Sequence, residues 1–170
     1  MLDWMTTVRS YEESDRSALL RLISALQNHI ASLDPLRRQK SSKDFDVGAY
    51  VANMLERVQR ERGCILVAEE NDTPVGCIVG VIPSPTSETL LESYPVSEGV
   101  ILELVVEKGN RGSGIGSELM RAMETYFREE GCEQIRVSCF APNTQAHRFY
   151  EASGYEDRNI EMVKRLSQLQ

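Results

Sequence analysis

The sequence predicts an α/β (α+β) domain, a mixed β-sheet with helices on both faces. Three observations carry that prediction. Val100 to Val106 is apolar at every position but one, as a central strand covered on both faces requires. Ile115, Leu119, Met123 and Phe127 then recur at helical spacing, and Gln134 to Cys139 reads as another strand. The segment 100–139 is therefore one β-α-β unit with parallel strands and a right-handed crossover. Upstream, Cys64 to Ala68 and Val75 to Ile82 flank the turn Asn71-Asp72-Thr73-Pro74 and read as an antiparallel hairpin, which makes the sheet mixed.

The other elements follow in order. Thr7 to Tyr11 reads as a short strand. From Asp15, an expected N-cap, Leu19, Leu22, Ile23, Leu26, Ile30 and Leu33 keep helical spacing until Pro35. After a polar stretch, Arg37 to Lys43, a second helix is marked by Val47, Tyr50, Val51, Met54, Leu55 and Val58, with Gly63 at its C′ position. Pro83 and Pro85 open a loop running to about Glu98, long enough to suggest function. The third amphipathic helix ends at Gly131. Asn143 caps a short helix carrying Ala146, Phe149 and Tyr150, Gly154 ends it, and Tyr155 to Leu166 is expected to supply a last strand or hairpin.

Composition narrows the function classes. With 170 residues, 41% hydrophobic and 26% charged, the chain suits a single domain over 1–170, and disorder or a fibrous repeat is excluded. A net charge of −7 argues against nucleic acid or an anionic membrane as the main partner and mildly favours cationic substrates. No stretch approaches the ~20 apolar residues of a membrane span, and the N-terminus shows no secretory leader. Cys64, Cys77, Cys132 and Cys139 form no C-x-x-C pair, and His29 and His147 are the only histidines, so no metal site is expected. A cytoplasmic protein with reduced thiols fits these features.

The sharpest local signal is Arg111-Gly112-Ser113-Gly114-Ile115-Gly116, between a buried strand and an amphipathic helix. A helix start offers unpaired N–H groups and the positive end of the dipole, and glycines let an anion come close. The turn therefore suits a phosphate or pyrophosphate; a tight strand-to-helix turn, glycine-rich for positive φ alone, is the alternative. Ser117-Glu118 follows where a Walker loop needs Lys then Ser or Thr, and the G-x-G-x-G spacing is not the Rossmann G-x-G-x-x-G.

Arg111-x-x-Gly114-x-Gly116 after Leu102-Glu103-Leu104-Val105-Val106 resembles the acyl-CoA pyrophosphate loop of the GNAT superfamily of acetyl-CoA-dependent N-acetyltransferases. Asn143-Thr-Gln-Ala146-His-Arg-Phe149-Tyr150-Glu-Ala-Ser-Gly154-Tyr155 resembles that family's N-x-x-A-x-x-x-Y-x-x-x-G-[FY] segment, whose helix lies beside the pantetheine arm. The resemblance covers roughly residues 64–166. It implies a centrally splayed sheet, with acetyl-CoA as co-substrate and no metal. It further implies that Arg111 and backbone N–H groups of Gly112, Ser113, Gly114, Ile115, Gly116 and Ser117 hold the pyrophosphate. Leu104, Val105 and Val106 would pair with the pantetheine amides, with Asn143, Ala146 and Phe149 flanking the arm. The implied acceptor is a small-molecule or peptide amine, and a homodimer is expected because the family often forms one.

N-acetylation requires a proton to leave the ammonium, a donor for the oxyanion and a proton for the departing thiolate. Backbone N–H groups at Leu104 or Val105 are candidate oxyanion donors. Tyr150 fills the family's general-acid position, and a phenol stays protonated at neutral pH; a packing tyrosine alongside Phe149 is the alternative. Glu103, the lone ionisable side chain in Val100 to Val106, is a candidate base or amine-orienting group; a solvated or salt-bridged structural role is the alternative. Glu88, Glu92 and Glu98 make the 83–98 loop acidic, which suits a basic acceptor; a solvated face is the alternative, as such charge runs usually are. The expected reaction is direct attack in a ternary complex. The alternative is a non-catalytic acyl-CoA-binding regulatory module.

Overall fold

The structure, a computed structural model, describes residues 6–166. Residues 1–5, on which the reading of no leader rests, lie outside the described residues.

In chain order the elements are β1 (Thr7–Ser10), α1 (Arg16–Leu33), α2 (Val47–Arg60), β2 (Cys64–Glu70), β3 (Thr73–Val81), α3 (Ser87–Glu92), β4 (Glu98–Val106), α4 (Ile115–Glu129), β5 (Gln134–Val137) and α5 (Thr144–Ala152). The strands lie in sequence order in one sheet. The β1–β2, β2–β3 and β3–β4 pairs are antiparallel and β4–β5 is parallel, so the predicted mixed sheet, hairpin and β-α-β unit are all present. Asn71 and Asp72, at φ +48° and +59°, make the tight turn of the β2–β3 hairpin.

Both faces of the sheet are covered. Ile78 and Ile101 meet Ile115, Leu119, Met123 and Phe127 of α4 on one face. Phe127, fully buried, lies against Gly80 and Gly99, where any Cβ would meet its ring. Burial of such a ring contributes about 1.5–3 kcal/mol. On the other face Cys77, Val79 and Val105 pack against Leu19, Leu22 and Ile23 of α1 and Val51 and Met54 of α2.

The strand that matters most is irregular. Val79 of β3 pairs with Glu103 but the next residue, Gly80, pairs with Ile101, so Leu102 is the surplus residue of a β-bulge. Ile101 packs on the α4 face and Leu104 follows it there, while Leu102 packs on the α1/α2 face. Beyond the bulge β5 is gone, because its last pair with β4 is Ile101↔Val137. From Leu102 to Val106 one edge of β4 is thus unpaired, and the sheet splays at its centre as the resemblance implied.

Four local expectations are corrected. Asp15 holds the N-cap position of α1, but its side chain makes no cap: its carboxylate accepts the Glu12 N–H at 2.9 Å and two N–H groups of Arg9 at 2.7 and 2.9 Å, an ion pair that outcompetes the helix end. Gly63 is not the left-handed residue closing α2; Arg62 is, at φ +44°. Gly63 comes one position later, its N–H bonded to the Val58 carbonyl at 2.7 Å, and a Cβ there would strike the Gly80 carbonyl. The 83–98 loop contains α3, capped by the Thr86 hydroxyl. Finally, 155–166 forms no strand. Its start is drawn to α5 instead, where Asp157 meets the His147 imidazole at 2.8 Å, and β5 is only four residues long.

Candidate active site

Two regions flank the open edge of β4. The first is the glycine turn. Gly112 and Gly114 hold φ of +83° and +94°, conformations an L side chain adopts only at a cost, and Gly114 is the N-cap of α4. Among the described residues no carbonyl takes the N–H of Gly112, Ser113, Gly114, Ile115 or Gly116. Ser117 departs from expectation, since its N–H bonds the Gly114 carbonyl at 2.9 Å inside the first helical turn. The Ser113 hydroxyl donates to the Asn110 carbonyl at 2.6 Å, tying the turn down, and Ile115 buries its side chain in the core. A Cβ on Gly112 or Gly114 would meet nothing within 4 Å, so the turn is uncrowded at both glycines. Donor set, dipole and room together fit a pyrophosphate. Gly114→Ala is expected to destabilise the fold by about 1–2 kcal/mol, read by urea denaturation, because the left-handed geometry disfavours Cβ.

The edge itself has a fixed polarity. The Glu107 N–H bonds the Val75 carbonyl of β3 at 2.8 Å. Backbone groups alternate sides along a strand. Val105 therefore directs its N–H and carbonyl to Cys77 of β3, while Leu104 and Val106 direct theirs to the open edge. Val105 is thereby removed from the candidate donors, and its buried side chain serves the α1/α2 core. Arg111 reaches back along this edge, its Nε donating to the Val106 carbonyl at 3.1 Å.

α5 packs beside this edge, against the start of α4. The Asn143 carboxamide accepts the Ala146 N–H at 3.2 Å, an N-cap that sets the start of the helix. Phe149 lies against the α4 start, 3.6 Å from where a Gly116 Cβ would be. Tyr150 stacks edge-on with Phe149 and Tyr155 at centroid distances of 5.5 and 6.0 Å. Burial first, then the neighbouring Cys139 and Glu103, push its phenol up to about 12. Glu103 and Tyr150 belong to opposite faces of the sheet, and the Glu103 charge reaches Tyr150 through the splay.

The second region is a cavity of about 480 Å³ on the α1/α2 face. Ile23, Leu26, Gln27 and Ile30 of α1 line one side, and Leu102 and Glu103 of β4 another. Arg38, Gln39, Lys40 and Phe45 come from the loop before α2, Tyr50 from α2 and Phe140 from beyond β5. Both bulge residues thus face the cavity. The Tyr50 hydroxyl donates to Glu103 Oε1. Burial pushes the Glu103 carboxyl above its ordinary range, and this hydrogen bond pulls the other way without cancelling it. Burial, then the Glu103 charge and the same hydrogen bond, raise the Tyr50 phenol still further, so the shared proton stays on Tyr50.

Several sequence candidates lie elsewhere. Glu98 pairs with Arg136 at 2.9 Å and accepts from Gln134 at 2.7 Å, and Glu88 and Glu92 sit on exposed α3 outside the cavity lining. His147 faces Glu151 and Asp157, which raise its imidazole above the ordinary value. Cys139 is exposed, and partial desolvation, with Asp157 nearby, shifts its thiol above the ordinary value. Tyr50 was legible only as part of a helical period, and Phe140, Arg38 and Lys40 carried no sequence signal at all. Among the described residues no cluster of three or more His, Cys, Asp or Glu could hold a metal ion, and no helix is long and apolar enough to cross a membrane.

Comparison with known proteins agrees with this fold. The model of the acetyltransferase (GNAT) family matches residues 29–155. An uncharacterized N-acetyltransferase of Methanocaldococcus jannaschii is 30% identical over 142 residues, covering 72% of this chain and 79% of that protein. Among solved structures, a mutant of a Bacillus halodurans protein superposes with a TM-score of 0.80 at 20% identity, covering 95% of this chain and 99% of the other. The structure of AAC(6′)-Iy in complex with the bisubstrate analogue CoA-S-monomethyl-acetylneamine superposes with a TM-score of 0.66 at 18% identity, covering 95% of this chain and 99% of that one. These two likenesses speak to the fold.

Proposed function

The chain belongs to the GNAT acetyltransferase family and is an acyltransferase, and from that premise we propose that it transfers the acetyl group of acetyl-CoA to a primary amine by direct attack in a ternary complex. The observation that carries this reading is the open β4 edge with the free N–H groups of the glycine turn at one end and the Glu103 cavity beside it. Bound acetyl-CoA supplies an acyl group activated as a thioester.

The chain's own residues supply the rest. N–H groups of Gly112 to Gly116, with Arg111, hold the pyrophosphate charge, and the edge groups of Leu104 and Val106 pair with the pantetheine amides. Asn143, through its cap, and Ala146 and Phe149 set α5 beside that arm. The Leu104 N–H is the donor for the oxygen on which negative charge develops. The Tyr150 hydroxyl holds a proton for the leaving sulfur. Glu103 meets the acceptor ammonium and takes its proton, directly or through water. Tyr50 is a positioning residue that fixes the Glu103 carboxylate. Direct attack accords with the protonated Cys139, which as a thiol is a poor acyl carrier.

Calorimetric titration tests the donor site. Acetyl-CoA should bind tightly while ADP and NADH do not; equal binding of ADP would overturn the reading. Turnover with any amine excludes a purely regulatory acyl-CoA-binding module. Tyr50→Phe removes the hydrogen bond that favours ionised Glu103, so the acid limb of kcat/KM should move to higher pH. An unmoved limb in the variant's pH–rate profile would detach Glu103 from that titration.

A further inference from the structure

The cavity carries opposite charges on separate walls. Among its lining residues Glu103 is the one carboxylate, and Arg38 and Lys40 are the two cations. Glu103 rises from β4, beside Leu102 and Val105, which pack with Ile23 near the middle of α1. Arg38 and Lys40 come from the loop beyond the end of α1. Gln27 donates to the Lys40 carbonyl at 2.8 Å, and Asp34, just past the helix, accepts the Arg38 N–H at 2.6 Å. Ile23 to Ile30 spans two helical turns, about 10 Å at 1.5 Å per residue. The floor between the two charges is the apolar side of those turns, Ile23, Leu26 and Ile30.

The basic wall is built, not draped. Asp34 is buried and its carboxylate also accepts the N–H groups of Leu36 and Gln39, each at 2.9 Å. Burial works against its ionisation, but these N–H groups and the Arg165 charge outweigh burial and hold it below the ordinary carboxylate range. From the other side the Arg165 guanidinium donates to the Leu36 carbonyl at 2.9 Å. Among the described residues Arg38 and Lys40 make no ion pair, so their charges are available to a ligand. On a chain of net charge −7 this is a local reversal of sign.

We propose that the acceptor is a primary amine carrying a distal anionic group, a carboxylate or a phosphonate or phosphate, joined by a short apolar spacer. The amine meets Glu103, the spacer lies on Ile23, Leu26 and Ile30, and the anion meets Arg38 and Lys40. A diamine or polyamine would place its second cation against the basic wall. This reverses the cationic acceptor that the net charge and the acidic 83–98 loop suggested, and it rests on the proposed role of Glu103.

The test is steady-state acetylation of four amines of matched length: aminohexanoate, aminohexylphosphonate, hexylamine and diaminohexane. The anionic pair should exceed diaminohexane by about tenfold or more in kcat/KM, mainly through KM, as two partly exposed charge contacts allow. Added salt should shrink the preference. The ratio of aminohexanoate to aminohexylphosphonate tells which anion the wall prefers. Arg38→Glu with Lys40→Glu should invert the order, and Arg38→Gln with Lys40→Gln should flatten it, each variant's melting curve showing that it is folded. A diamine preferred by the unmodified chain, or an order that charge reversal leaves standing, would overturn this inference alone. If acetyl-CoA binds and none of the four amines is acetylated, the amine-transfer reading fails and this one with it.

Discussion

Tyr150→Phe should lower kcat by about a hundredfold or more, the scale of a lost general acid, while acetyl-CoA still binds as it does to the unmodified chain. The substitution isolates the proton. Both ring contacts, with Phe149 and with Tyr155, survive in the variant, and the Tyr150 hydroxyl makes no hydrogen bond among the described residues. Packing is therefore kept and only the acid is removed. Because burial pushes the phenol up to about 12, Tyr150 is protonated throughout the ordinary assay range. Any alkaline limb of the pH–rate profile well below that value should then persist in the Phe variant. Thiol release gives kcat and calorimetry gives the affinity for acetyl-CoA. Wild-type kcat in the variant would strip Tyr150 of its role.

Glu103→Gln should separate activity from stability in opposite directions. As a base, Glu103 must be ionised, and burial raises its carboxyl above the ordinary range, so the acid limb of kcat/KM should lie above that range and vanish in the Gln variant. The expected loss in kcat/KM for the amine is about 10²-fold or more. Stability runs the other way. A carboxyl whose folded-state pKa lies above its unfolded value favours the fold at low pH, and that contribution is lost as pH rises through the folded value. Near pH 7 the Gln variant, having no charge to bury, should melt no lower than the unmodified chain. The comparison should grow less favourable to Gln as pH falls through the raised value to the ordinary carboxylate value, and level off below it. Melting curves across that window, set beside the pH–rate profile, check both halves. A Gln variant with unchanged kcat/KM and an unchanged acid limb would leave Glu103 a structural residue.

Much of the fold was legible because its signals are local or periodic. The spacing of Ile115, Leu119, Met123 and Phe127 declares α4, the all-apolar Val100 to Val106 declares a central strand, and the glycine pair at 112 and 114 declares a left-handed turn. Where readings failed, a long-range partner had intervened. Asp15 was taken by Arg9, Gly63 was required by the approach of Gly80 rather than by φ, and the segment after Gly154 met α5 instead of a strand. The donor half of the candidate site was legible for the same local reasons. Its acceptor half was not, because Tyr50, Phe140 and the 38–40 loop converge from elements far apart in sequence, and no short pattern records that convergence. The acidic 83–98 loop says little for a related reason, since a run of like charges gives no hint that Glu98 is committed to Arg136.

Leu102 is one residue more than the sheet has use for. Read backwards from Val106, the odd-numbered positions 105 and 103 look toward α1 and α2; read forwards from Gly99, the odd-numbered positions 99 and 101 look toward α4. The strand therefore changes parity in its middle. A version lacking Leu102 would restore strict alternation with every remaining side chain still on its present face, and the core would lose only the packing of Leu102 itself. What would go is the bend, and with it the reason for β5 to part from β4. Foldability and an open centre are thus written in different numbers of residues, and the count that gives this chain its opening is the less regular one.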